Sequence, residues 1–269
     1  MYQTDPPRPA KDVLPTMYDL PSENIEEPGL PDQFHLLQPR LLDETFRPPS
    51  YPVEQVFVAS DLNLYYDVRH PLWYKRPDWF AVVGVPRLYE QQDLRLSYVV
   101  WQEGVDPFIV VELLSPGTEK EDLGQTLRDV EQPPTKWEVY ERVLRIPYYV
   151  VFDRYTYELR AFKLDGSRYT ALDLPTSRFW IPDIELGLGV WQGDYQGVEQ
   201  PWLRWFDALG NWILTPTEQE RLLVEQERQR AEQERQRAEQ ERQRAEQERQ
   251  RAERLIVQLR SLGIEPDLD

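Results

Sequence analysis

The sequence has no cysteine, so disulfides, thiolate metal sites and thiol chemistry are excluded. Histidine is nearly as scarce. His35 and His70 are not spaced as a metal pair, and no Ser/His/Asp motif surrounds them, so each reads as a surface or loop histidine. The 12 glycines form no phosphate loop, which disfavours P-loop and dinucleotide chemistry. Apolar runs such as Phe108-Ile109-Val110-Val111 are strand-sized, far below the about 20 residues of a membrane helix. The start, Met1-Tyr2-Gln3-Thr4-Asp5-Pro6-Pro7, has neither the basic residues nor the apolar stretch of a signal peptide. A cytoplasmic protein without membrane contact is the resulting expectation. Positive charge is also short, and the formal net charge is −17. Residues 217–269 hold 11 arginines against 14 acids, so most of the negative surplus lies before them. Phosphate-tracking proteins usually carry a basic footprint, so contact with nucleic acid would need a local basic patch.

What is present falls into three compositions. Residues 1–53 are rich in proline and show no long apolar period, which reads as an extended, partly ordered arm. Residues 54–214 read as a globular domain with strands at 63–68, 78–85, 96–102, 108–114, 148–153, 157–164 and 168–174. Residues 103–107 read as a hairpin loop between two of them. Helices are expected at 119–130 and 136–144, separated by Gln132-Pro133-Pro134, with Thr135 as the cap of the second. Strands, then helices, then strands predict an α/β fold, a mixed sheet with helices packed on it. The tryptophan-rich stretch 179–213 reads as a closing subregion of short strands, its aromatics used for packing.

Residues 217–262 read as one long helix of about 70 Å. The block Glu-Gln-Glu-Arg-Gln-Arg-Ala occurs four times without change over residues 225–252. Its residues favour helix, and Glu225–Arg228 and Glu227–Arg230 are spaced as i,i+3 pairs. Ala231, Ala238, Ala245 and Ala252 make one apolar stripe, half of a coiled-coil seam. A solvated spacer, a homo-oligomer through this helix, and a partner-binding helix are the three readings.

Candidate chemistry begins at Glu112. It stands in Phe108-Ile109-Val110-Val111-Glu112-Leu113-Leu114, a strand whose two faces both read apolar. A carboxylate there costs several kcal/mol unless it is paired, bound to a metal, or placed at a strand end in water. Asp78 opens the apolar strand after Lys75-Arg76-Pro77, where an Asp is commonly a turn former. Lys136 opens a helix with Tyr140 one turn on.

Pro77-Asp78, then Val111-Glu112-Leu113-Leu114-Ser115-Pro116-x-Thr118, Asp122, Lys136-x-x-x-Tyr140 and Tyr148-Tyr149-Val150-Val151-Phe152-Asp153 form a set. Over residues 55–190 this set resembles the Uma-type restriction endonuclease family, abundant in cyanobacteria and part of the PD-(D/E)XK nuclease-like superfamily. The resemblance implies a restriction-endonuclease-like core and divalent-metal-dependent hydrolysis of phosphodiester bonds in DNA. It implies that Asp78 and Glu112 hold magnesium or manganese, with the Leu113 carbonyl as third ligand. Leu114 stands where the family superclass places its lysine, and Lys136 is the implied replacement, giving Asp78, Glu112 and Lys136 as the catalytic set. Lys75, Arg76 and Lys120 are candidates for holding DNA phosphates, and Ser115, Asp122 and Tyr140 are accessory candidates. A competing reading is a catalytically inactive nuclease-like fold that serves protein assembly through its helical tail.

Overall fold

Continuous apolar sequence makes the central strands. A computed structural model describes residues 32–114 and 133–261, without the side chains of 259 and 260. In it β6 (Ile109–Leu114) has all six residues buried, and β7 (Tyr148–Asp153) is buried apart from its last residue. They run parallel, as strands covered on both faces commonly do. Around them β1 (Val56–Ala59), β4 (Trp79–Val83), β8 (Leu159–Asp165) and β9 (Arg168–Ala171) complete a six-stranded sheet in the order β1-β4-β6-β7-β8-β9. Its remaining pairings are antiparallel. The mixed α/β architecture expected from the sequence is present and is consistent with a restriction-endonuclease-like core.

Each face of this sheet has its own core. Trp79, Ala81, Ile109, Val111 and Val150 point to one side. There they meet α1 (Phe34–Thr45) and an antiparallel sheet of β10 (Arg178–Ile181), β11 (Leu186–Tyr195) and β12 (Val198–Phe206). Phe80, Val82, Val110, Tyr149 and Val151 point to the other side. There they meet β2 (Leu64–Tyr65), β5 (Tyr98–Val99) and α3, an α-turn at Lys136–Glu138 that widens into a π-turn at Val139–Val143. Thr135 caps α3 as expected: its Oγ1 accepts from the Glu138 N–H, and the Glu138 side chain accepts from the Thr135 N–H.

Several expectations are corrected. The second part of the arm is α1, whose inward residues Phe34, His35, Gln38, Leu41, Leu42 and Thr45 follow a helical period. Pro39 costs it one backbone bond, and tertiary contacts compensate. Gln38 donates to the Leu203 carbonyl at 2.9 Å and accepts from the Leu203 N–H at 2.8 Å. The strand read at 96–102 shrinks to β5, because Val100–Glu103 turns into α2 and Gly104 ends it in the left-handed region at φ 72°. Residues 103–107 therefore make no hairpin, and β5 and β6 lie in different sheets. The strand read at 63–68 shrinks to β2, which pairs with β5 and with β3 (Tyr74–Lys75). In the closing subregion β11 and β12 are 10 and 9 residues long rather than short. Trp202 and Trp205 are buried there, in keeping with packing, while Trp180 is 38% exposed. The helix read at 119–130 lies outside the described residues.

The C-terminal unit is α4 (Pro216–Ser261), with Thr215 and Glu218 forming the same reciprocal cap as on α3. The bond that repeats with the seven-residue block is not the expected Glu–Arg i,i+3 pair. It is an i,i+4 bond from Gln to Glu: Gln229 to Glu225, Gln236 to Glu232, Gln243 to Glu239 and Gln250 to Glu246, at 3.1–3.3 Å.

Candidate active site

The register of β4 on β6 builds the site. Phe80 pairs with Val110 and Trp79 with Val111, so Asp78 continues toward Glu112 on the face that carries Phe80 and Val110. The Asp78 N–H donates to Glu112 Oε2 at 3.2 Å. Glu112 is 0% exposed, and its neighbours explain how a carboxylate survives there. Lys136 Nζ lies 3.1 Å from Oε2, and the Tyr140 hydroxyl donates to Oε1 at 2.9 Å. The i,i+4 spacing puts Lys136 and Tyr140 on one side of α3, and Pro133-Pro134 does not displace them. Asp78 itself accepts the Leu113 N–H on Oδ2 at 2.6 Å. Asp78, Glu112, Leu113, Lys136 and Tyr140 are thus brought together.

The other candidates fall differently. Arg76 is held by Asp61 at 2.6 Å, and Lys75 ends β3, half-buried. Ser115, Lys120 and Asp122 lie outside the described residues. His70 is a loop histidine as expected, stacked on Trp73 and 2.7 Å from Asp67 Oδ2.

His35 was misread. It is 5% exposed on α1, with Nε2 3.1 Å from the Leu113 carbonyl and Nδ1 3.0 Å from Asp32 Oδ1. Arg154 pairs with the other oxygen of Asp32. Burial works to lower the His35 pKa. The hydrogen bond to Asp32, the charges of Asp78 and Asp32 and the Leu113 carbonyl outweigh burial and hold it above the ordinary value. For Asp32 burial works upward, and hydrogen bonds from His35 with the charges of His35 and Arg154 bring the carboxyl below its usual range. The helical spacing of Phe34, Leu41 and Leu42 was the signal that could have found α1 and turned His35 inward.

The donors available to a cation are oxygens: the carboxylates of Asp78 and Glu112 and the Leu113 carbonyl. Among the described residues no group of three or more His, Cys, Asp or Glu is placed to hold a metal ion. A cation held by those oxygens would have to keep several waters, as magnesium does when one or two carboxylates bind it.

A family model described as "Uma2: Putative restriction endonuclease" matches residues 13–194. The chain belongs to the Uma2 family. No curated protein matches it. The Uma2 match takes in α1 and β1 through β10 and ends within β11, so both elements that carry the site strands and the helix that carries His35 lie inside it. Among the described residues no helix is long and apolar enough to cross a membrane.

Proposed function

We propose that this Uma2 chain is a divalent-metal-dependent endonuclease that hydrolyses phosphodiester bonds in DNA, and that it works in the cytoplasm. The observation that carries the reading is Glu112, fully buried, with Lys136 at 3.1 Å and the backbone of Asp78 at 3.2 Å. In this reading Asp78 and Glu112 hold magnesium or manganese, with the Leu113 carbonyl as third ligand. The bound ion would acidify a water and offset charge on the phosphate oxygens. Tyr140 fixes the rotamer of Glu112, and the Lys136 ammonium orients the attacking water and stabilises developing negative charge. Ser115 and Asp122 are accessory candidates. Lys75, Arg76 and Lys120 are assigned to phosphates of the duplex, where Arg76 must exchange Asp61 for DNA.

The test is plasmid nicking in magnesium by wild type, Asp78→Ala, Glu112→Ala and Lys136→Ala. Each variant is expected to lose at least about 100-fold in rate, since several kcal/mol of stabilisation at the reacting phosphate is removed. Nicking by Glu112→Ala at the wild-type rate would end the reading. One observation favours a second: the net charge of −17 opposes DNA. It is an inactive nuclease-like fold that assembles as a homo-oligomer through α4, and a melting point indifferent to magnesium and manganese would favour it.

A further inference from the structure

The β4–β6 pairing covers only Trp79↔Val111, Phe80↔Val110 and Ala81↔Ile109, so β6 runs on past the start of β4. In a strand the N–H and C=O of one residue point to the same side. Leu113 therefore turns both groups toward the place β4 has left. Side chains fill that place. Asp78 Oδ2 takes the N–H at 2.6 Å, and His35 Nε2 meets the carbonyl at 3.1 Å. The second ring nitrogen faces Asp32 Oδ1 at 3.0 Å, and Arg154 braces Asp32 from the far side. A carbonyl oxygen only accepts, so Nε2 carries the hydrogen and donates. The ring has little freedom, because it is buried and meets Phe34 edge-on with centroids 6.0 Å apart.

We infer that His35 is a positioning residue of the site: from α1 it holds the Leu113 carbonyl, and through it the end of β6 that presents Glu112 and faces Asp78. The inference rests on the reading of Asp78, Glu112 and the Leu113 carbonyl as ligands of a divalent cation. His35 touches neither cation nor substrate. It fixes the direction of the peptide group that serves as third ligand, the part that outer-shell hydrogen bonds play around metal sites. α1, which supplies none of the implied ligands, thereby becomes part of the active site.

The experiment is calorimetric titration of the full chain with manganese at one pH, well below the melting temperature. His35→Leu keeps an apolar side chain of related size and removes the donor. His35→Gln returns an N–H at comparable reach. His35→Leu is expected to weaken manganese binding about tenfold and His35→Gln to recover most of the loss. A change that only loosened packing would lower the melting point of both variants and leave affinity alone. Asp32→Ala, at a half-buried position, tests the same chain of bonds without touching the core and is expected to weaken manganese about threefold. Wild-type affinity in both His35→Leu and Asp32→Ala, or failure of His35→Gln to recover, overturns the inference. Glu112→Ala separates the two levels. If it binds manganese as wild type does, or wild type binds none, the metal reading falls and the inference with it. If Glu112→Ala alone loses the ion, the metal reading stands and only the role of His35 falls.

Discussion

Two ion pairs of nearly equal length sit in the two units of this molecule. Lys136–Glu112 measures 3.1 Å in the sheet unit, and Arg249–Glu253 measures 3.2 Å on the terminal helix. Their side chains are 15% and 0% exposed in the first pair and 72% and 62% in the second. Distance does not distinguish them, and surroundings do. In the sheet unit every partner of Glu112 replaces water that burial has removed. On the helix, water solvates both charges whether they meet or not. Charge is thus a local commitment at Glu112 and is left to water at Arg249.

Lys136→Met presses hardest on this contrast. It leaves Glu112 buried without its cation and is expected to lower unfolding free energy by about 3 kcal/mol in urea melts. A loss no larger than that of a surface substitution would break the comparison.

Asp43 is an intermediate case. It is half-buried and bound to the Trp79 indole N–H at 2.6 Å, and burial pushes its carboxyl up to about 6. The folded state therefore holds this proton more tightly than the unfolded chain does. The contribution is fully present below about pH 4 and is lost as pH rises through about 6. Wild type should lose about 2 kcal/mol more than Asp43→Asn between pH 4 and pH 7.5, allowing for the part of the side chain that water reaches. Equal pH profiles would remove Asp43 from the middle of the series.

The smallest effect is expected at the exposed pair. Arg249→Met should leave the melting curve of the sheet unit where it was, and only helicity at low salt should respond. A measurable shift in that melting curve would show that the helix charges are not merely solvated.

What the sequence shows of this molecule follows the same division. β6 and β7 are legible because both faces are apolar over strand length, and Glu112 stands out against that background. The cap at Thr135 is legible because its reciprocal bonds are local. The meeting of Lys136 and Tyr140 with Glu112 follows from their i,i+4 spacing once α3 lies on the sheet. α1 is hidden by its internal Pro39, since its stability comes from Gln38 on Leu203, 165 residues away, and from packing on the sheet. His35 is hidden for the same reason: a single histidine carries no spacing signal, and its partner on the sheet is a main-chain carbonyl 78 residues away. The strand expected at 96–102 fails because its apolar residues fit a short strand followed by a helical turn, and Gly104 decides where the turn stops.

The repeated block on α4 has a consequence for length. Each Gln-to-Glu bond closes inside its own seven residues, as Gln236 does with Glu232, and where a bond leaves its block, from Arg249 to Glu253, it meets a Glu of the kind that opens every block. Removing or adding one copy deletes or restores a complete set of contacts and leaves both ends unchanged. The helix can therefore be lengthened or trimmed in strides of about 10.5 Å, at 1.5 Å per residue, without any new side-chain solution. It behaves as a graduated rod whose reach is set by copy number.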